Sequence, residues 1–122
     1  QIMVVDDSVS IRKVVSRLLE EQGWQVQTAV DGMDAMEQLR ECRPDLIVLD
    51  IEMPRVNGFE FLGALKNLAG CETIPVIMLT SRTTAKHREK AIALGAKGFV
   101  AKPFNNDDFV QLIMKLTNGE TN

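Results

Sequence analysis

The chain has 122 residues, 45% hydrophobic and 25% charged, the composition of one ordinary globular domain able to bury roughly two thirds of its unfolded surface. A formal charge of −3, with 14 lysines and arginines scattered except for a modest cluster at Lys86-His87-Arg88 and Lys90, argues against nucleic-acid binding. No apolar run reaches membrane-spanning length and no charged-then-apolar leader is present; Cys42 and Cys71 have neither metal-ligand nor redox spacing, so a reduced, cytoplasmic setting is expected.

Ile2 to Val5 reads as a first, buried strand. Ser8 caps a helix that carries Ile11, Val14, Val15, Leu18 and Leu19 on one face and closes at Gly23. Trp24, Val26 and Thr28 alternate with Gln25 and Gln27, as in a half-exposed edge strand. Asp31 caps a second helix with apolar positions Ala35, Met36, Leu39 and Cys42, and Pro44 is expected to end it. Asp45 to Leu49 is a continuously apolar central strand. A loop from Asp50 to Asn57 leads through Gly58 into a helix with Phe61, Leu62, Leu65 and Leu68, and Met53-Pro54 and Asn57-Gly58 are its turn signals.

Pro75 precedes the fourth strand, Val76 to Leu79. The helix from Ala85 to Leu94 offers only Ile92 and Leu94 among small alanines, so it is expected to dock weakly. His87 reads as a solvated face residue, and the methionines read as core fillers. Gly95 closes that helix, Phe99 to Ala101 form the fifth strand, and Asn105 with Asp108 caps a last helix bearing Phe109, Leu112, Ile113 and Leu116. Five strands, each followed by a helix through short connections, predict a doubly wound α/β fold: a five-stranded parallel sheet of flavodoxin type, covered on both faces. The order 2-1-3-4-5 suits the edge-like second strand and sets strands one and three side by side. The domain core is placed at about 2–116, with 117–122 as a tail. The start at Gln1, directly on a strand and without Met, suggests a domain cut from something larger.

The chemistry gathers at strand ends. Asp6 and Asp7 follow the first strand, Asp50 the third and Lys102 the fifth, and ligands of open α/β sheets bind along this carboxyl edge. Three converging carboxylates repel one another unless a cation joins them, and an oxygen-only cluster suits Mg²⁺, with Mn²⁺ as the other candidate. Asp50 is then a candidate nucleophile for a phosphoryl group, and Lys102 a point charge for a phosphate oxygen. Singly, each has a commonplace reading. Asp50 could open a polar loop, Asp6 and Asp7 could favour the first turn of a helix, and Lys102 could lie on the surface. Thr80 suits a capping hydroxyl as well as a phosphoryl donor. Phe99 suits the core as well as a rotamer switch.

Val4-Val5-Asp6-Asp7-Ser8, Leu49-Asp50-Ile51-Glu52-Met53-Pro54 with Asn57-Gly58, Leu79-Thr80-Ser81 and Lys102-Pro103-Phe104 together closely resemble the receiver domains of two-component response regulators, across nearly the whole chain. The resemblance implies that Asp50 takes a phosphoryl group from a phosphohistidine on a histidine kinase or phosphotransfer domain. It implies that Asp7 and Asp50 ligate Mg²⁺ directly, that Asp6 acts mainly through water, and that the Glu52 backbone carbonyl completes the protein ligands. Lys102 would hold one phosphoryl oxygen and Thr80 would shift inward to donate to another. Phe99 falls at the family's aromatic switch position, and Glu52 and Arg82 fall where phosphoaspartate lifetime is tuned. The surface of the fourth helix, fifth strand and fifth helix would then meet a downstream protein. Such a domain signals; it is not an enzyme acting on other substrates.

A narrower likeness, in Thr80-Ser81-Arg82, Lys86-His87-Arg88 and Ala93-Leu94-Gly95-Ala96, is to receivers at the carboxyl end of chemotaxis-type hybrid histidine kinases. The rival from another class is a Mg²⁺-dependent phosphatase of the haloacid dehalogenase type. That pattern needs a second Asp two residues after the nucleophile, where this chain has Glu52, and the chain has no cap domain.

Overall fold

The computed structural model describes residues 1–53 and 56–117. Pro54 of the loop after Asp50, and 118–122 of the expected tail, lie outside the described residues. The elements alternate without exception: β1 (Ile2–Val5), α1 (Val9–Glu21), β2 (Val26–Ala29), α2 (Gly32–Gln38), β3 (Leu46–Leu49), α3 (Gly58–Lys66), β4 (Val76–Thr80), α4 (Ala85–Ala93), β5 (Gly98–Ala101) and α5 (Asn106–Thr117). The strands form one parallel sheet in the order β2-β1-β3-β4-β5, the expected doubly wound topology.

The continuous apolar runs of β1, β3 and β4 follow from burial on both faces. Met3, Val5, Ile47, Leu49, Val76 and Met78 point to the side covered by α2, α3 and α4, where they meet Ala35, Leu39, Phe61, Leu62, Leu65 and Ala91. Ile2, Val4, Leu46, Val48, Ile77 and Leu79 point to the other side, against Val15 and Leu19 of α1 and Phe109 and Ile113 of α5. Side-chain alternation with period two thus divides each strand between two cores.

Capping chemistry sets the helix starts. Ser8, Asp31, Asn57 and Thr84 each accept from a backbone amide three residues on, and Asn105 does so for Asp108 at 3.0 Å. Around α3 the box is reciprocal, since Glu60 also accepts from the Asn57 amide at 3.1 Å.

Several sequence expectations shift. α2 stops at Gln38, well before Pro44, because tighter turns replace the helix: the amides of Arg40 and Glu41 donate to Glu37 and Gln38, three residues back. In β2 Thr28 is exposed and Ala29 is buried, so the apolar alternation across Trp24, Val26 and Thr28 fails at its last member. Val14 is 55% exposed, because the i, i+4 pair Val15 and Leu19 takes the face against the sheet. Met33 and Met114 face solvent rather than filling the core. Leu68 packs on the core from beyond the end of α3.

A buried aromatic and an exposed aliphatic should respond differently. Phe61→Ala, at a fully buried position, is expected to lower unfolding free energy by about 3–5 kcal/mol. Ile92→Ala, on the outer face of α4 at 57% exposure, should change it by less than about 0.5 kcal/mol. Urea unfolding of both variants checks this; equal losses would contradict the packing described.

Candidate functional site

The register builds the site. Val5 pairs with Leu49 across β1 and β3, so Asp6 and Asp50, one residue further along, emerge side by side. Sheet bonding extends past both strands: the Asp50 amide donates to the Val5 carbonyl at 3.1 Å and the Asp6 amide to the Ala29 carbonyl at 3.2 Å. Two acids are thereby fixed by backbone geometry rather than by flexible loops. Asp7 follows on the exposed rim. Asp6, Asp7 and Asp50 each offer a carboxylate oxygen, all within 4.8 Å of one another.

Lys102 arrives from the far side. Its amide donates to the Thr80 carbonyl at 2.9 Å, and its Nζ donates to Asp6 Oδ2 at 2.8 Å while standing 3.6 Å from Asp50 Oδ2. The Lys102-Pro103 peptide bond is cis. Asp6 Oδ1 accepts from the Ser8 amide at 2.9 Å. Thr80 is fully buried at the end of β4, with its hydroxyl oxygen accepting from the Arg82 amide at 3.0 Å.

The electrostatics of Asp50 follow from this crowding. Burial pushes its carboxyl above the ordinary aspartate range and the charge of Asp6 pushes the same way; the Lys102 ammonium, the Glu52 amide and the Thr80 hydroxyl oppose the rise. The donor set, three carboxylates with neither thiolate nor imidazole, fits a hard divalent cation, and such a cation relieves the repulsion that Lys102 only partly offsets.

Gly58 keeps the loop tight behind the site. Its amide donates to the Ile51 carbonyl at 2.9 Å, and a Cβ there would collide with the Asp50 carbonyl oxygen and backbone of Ile51. Only glycine permits α3 to start so close to the Asp50 backbone.

An open cleft of about 670 Å³ lies in front of these groups, lined by Asp7, Ile51, Glu52, Met53, Asn57, Phe59, Arg82 and His87. Arg82 and Glu52 form an ion pair at 2.6 Å across it. The Arg82 hydrogen bond, more than its charge, holds the Glu52 carboxyl below the usual range, and Glu52 in turn raises Arg82. Both side chains are about half exposed, so the pair adds little to stability. His87 departs from expectation: it is half-buried and its ring stacks on Phe59 with centroids 6.0 Å apart. The helical pattern singled out Phe61 and passed over Phe59, whose neighbours come from α4, a contact no local spacing encodes. Phe99 is half-buried and packs against the core beneath α4.

The family model for the response regulator receiver domain matches residues 2–114. The chain belongs to that family. Protein PilG of Pseudomonas aeruginosa is 34% identical over 93% of this chain and 84% of its own length. The structure of chemotaxis protein CheY4 of Vibrio cholerae superposes with a TM-score of 0.89 at 36% identity, over 94% of this chain and 96% of that one. The signal receiver domain of a histidine kinase from Syntrophus aciditrophicus gives a TM-score of 0.90 at 31% identity, over 98% and 91%. The chain spans about half the length of several other curated relatives. Receiver domains are signalling domains of two-component systems and bind Mg²⁺ at an acidic pocket, and here Asp6, Asp7 and Asp50 form an aspartate cluster. The haloacid dehalogenase alternative finds no support in these matches. Among the described residues no helix is long and apolar enough to cross a membrane.

Because the folded chain holds the Asp50 proton to higher pH than the unfolded chain does, stability declines as pH rises from the ordinary aspartate value of 3.8 through the raised folded value. Asp50→Asn removes that penalty. In Mg²⁺-free buffer it should raise the thermal midpoint near neutral pH, with the gap closing as pH falls below the ordinary aspartate range. A midpoint at or below wild type at neutral pH would contradict the crowding.

Proposed function

We propose that this receiver accepts a phosphoryl group on Asp50 from a phosphohistidine of a histidine kinase or histidine phosphotransfer domain. The observation that carries the reading is the position of Lys102 Nζ, 3.6 Å from the Asp50 carboxylate, beside acids whose oxygens lie within 4.8 Å of one another. In the transfer, an Asp50 carboxylate oxygen attacks phosphorus, the P–O bond forms, the P–N bond breaks, and the electron pair returns to the donor imidazole.

Asp6, Asp7, Asp50 and the backbone carbonyl of Glu52 are the groups that would hold Mg²⁺, or Mn²⁺ in its place. The ion supplies charge neutralisation at the phosphoryl oxygens. Lys102 adds a fixed positive charge already turned toward the nucleophile. Thr80, buried at the end of the strand between β3 and β5, already directs its hydroxyl toward Asp50 and shifts further inward to donate it to the transferred group, while its oxygen can go on accepting from the Arg82 amide. Its movement opens space into which Phe99 turns, and the face built by α4, β5 and α5 changes shape for a downstream protein. Phe99 has no hydroxyl, so the readout is by packing alone.

The domain works as one unit over about 2–116, in the cytoplasm, where its two free thiols, Cys42 and Cys71, are compatible with a reducing setting. It turns over no external substrate. Glu52 and Arg82 guard the open cleft from which water reaches Asp50, and their pairing sets the lifetime of the acyl phosphate.

Incubation with Mg²⁺ and phosphoramidate, followed by intact mass, should show one added phosphoryl group in wild type and none in Asp50→Asn. Stable wild-type mass, or labelling that survives the substitution, overturns the assignment. Exchanging Glu52 and Arg82 for alanine together should change the rate of phosphate loss; an unchanged decay removes them from the lifetime role.

A further inference from the structure

α4 has almost nothing apolar to hold it down. Ala91 is its one buried residue among those described, and Ile92 is 57% exposed. Leu94, at its C-cap, packs partly on the core, and the other attachments of the helix run through charge and aromatic faces. The Arg88 guanidinium carbon stands 4.9 Å from the Phe99 ring centroid on β5. Lys90 Nζ stands 4.7 Å from the Phe59 centroid on α3, and His87 stacks on that same ring. A cation within about 6 Å of an aromatic face is attracted by the quadrupole of the ring.

The two cationic contacts hold different things. Phe59 is buried in α3 and packs within the core. Phe99 is half-buried on β5, and the function proposed above requires it to repack. Arg88 is exposed, and among the described residues no carboxylate stands within ion-pair range of it, so the Phe99 ring is its charge partner within the chain. We infer that Arg88 is a latch on Phe99: the guanidinium stabilises the resting packing of the ring, and switching must break that contact. The inference rests on the Phe99 role proposed above and names the residue that sets its equilibrium.

The consequence is directional. An interaction present in the resting state and lost in the switched state biases the equilibrium toward rest. By linkage it also opposes phosphorylation to the same degree, because the phosphorylated form favours the switched state. Arg88 touches none of the reacting groups, so it is a positioning residue. Its charge, and not just its bulk, carries the effect. Lys90, bound to a ring within the core, anchors α4 without biasing the switch.

The test uses Arg88→Met, which keeps an apolar stem of comparable reach, Arg88→Lys, which keeps the charge, and Lys90→Met, which loosens α4 elsewhere. Phe99 χ1 populations are measured by NMR in the unphosphorylated chain, and the equilibrium extent of phosphorylation with phosphoramidate and Mg²⁺ by mass. Arg88→Met should raise the minor Phe99 rotamer population by roughly two- to five-fold, and the equilibrium extent of phosphorylation should rise with it. Arg88→Lys should stay near wild type, and Lys90→Met should leave the rotamers unchanged. Unchanged Phe99 populations in Arg88→Met, or an Arg88→Lys effect as large as that of Arg88→Met, overturns the latch. If wild type and variants alike take up no phosphoryl group, the Asp50 assignment fails, while the rotamer populations still decide the latch.

Discussion

One ammonium among carboxylates organises this molecule. Lys102 Nζ lies 2.8 Å from Asp6 and 3.6 Å from Asp50, and it reaches them across β4 from an edge strand. Without it, two nearly buried acids would face each other with only backbone amides and the Thr80 hydroxyl for compensation, an arrangement whose desolvation penalty is severe. With it, the site remains short of positive charge. Asp50 is still held above its ordinary range by burial and by Asp6. That residual imbalance is what a divalent cation would relieve, and the function proposed above has the transferred phosphoryl group meet charges already in place.

The sheet exists, for functional purposes, to hold that geometry. Hydrogen bonds that continue one residue beyond β1 and β3 fix the two acids. The Lys102 amide on the Thr80 carbonyl ties the lysine to the neighbouring strand end. Gly58 allows the following helix to close against the Asp50 backbone. Rigidity on this edge contrasts with α4, whose attachments are individually weak and electrostatic or aromatic in kind. A receiver needs both properties: a nucleophile that does not wander, and a neighbouring surface that can change at modest energetic cost.

Much of this was legible from residue order. Uninterrupted apolar runs ending in Asp6, Asp50 and Lys102 specify buried parallel strands with polar tips, and the exposed character of β2 places it at the edge, so the convergence of the acids follows. What the sequence concealed were contacts between distant side chains of neutral local signature. Phe59 resembles any apolar residue at the start of a helix, and His87 and Arg88 resemble a solvated charge run, yet the fold stacks them on aromatic partners. Val14 and Met33 failed as core positions for the same reason: periodicity gives the width of an apolar stripe, whereas the neighbour across the interface decides which part of it is covered. The premature end of α2 reflects local turn geometry that Pro44 does not control. The pairing of Glu52 with Arg82 joins two loops, and only the assembled carboxyl edge shows it.

The balance of charge at the carboxyl edge is tested most directly by calorimetric titration of the chain with Mg²⁺. The account predicts saturable binding of one ion per chain, abolished when Asp7 and Asp50 are both replaced by asparagine. It also predicts tighter binding in Lys102→Met, where the competing ammonium is gone. No measurable binding by wild type, or an affinity indifferent to these three side chains, would contradict it.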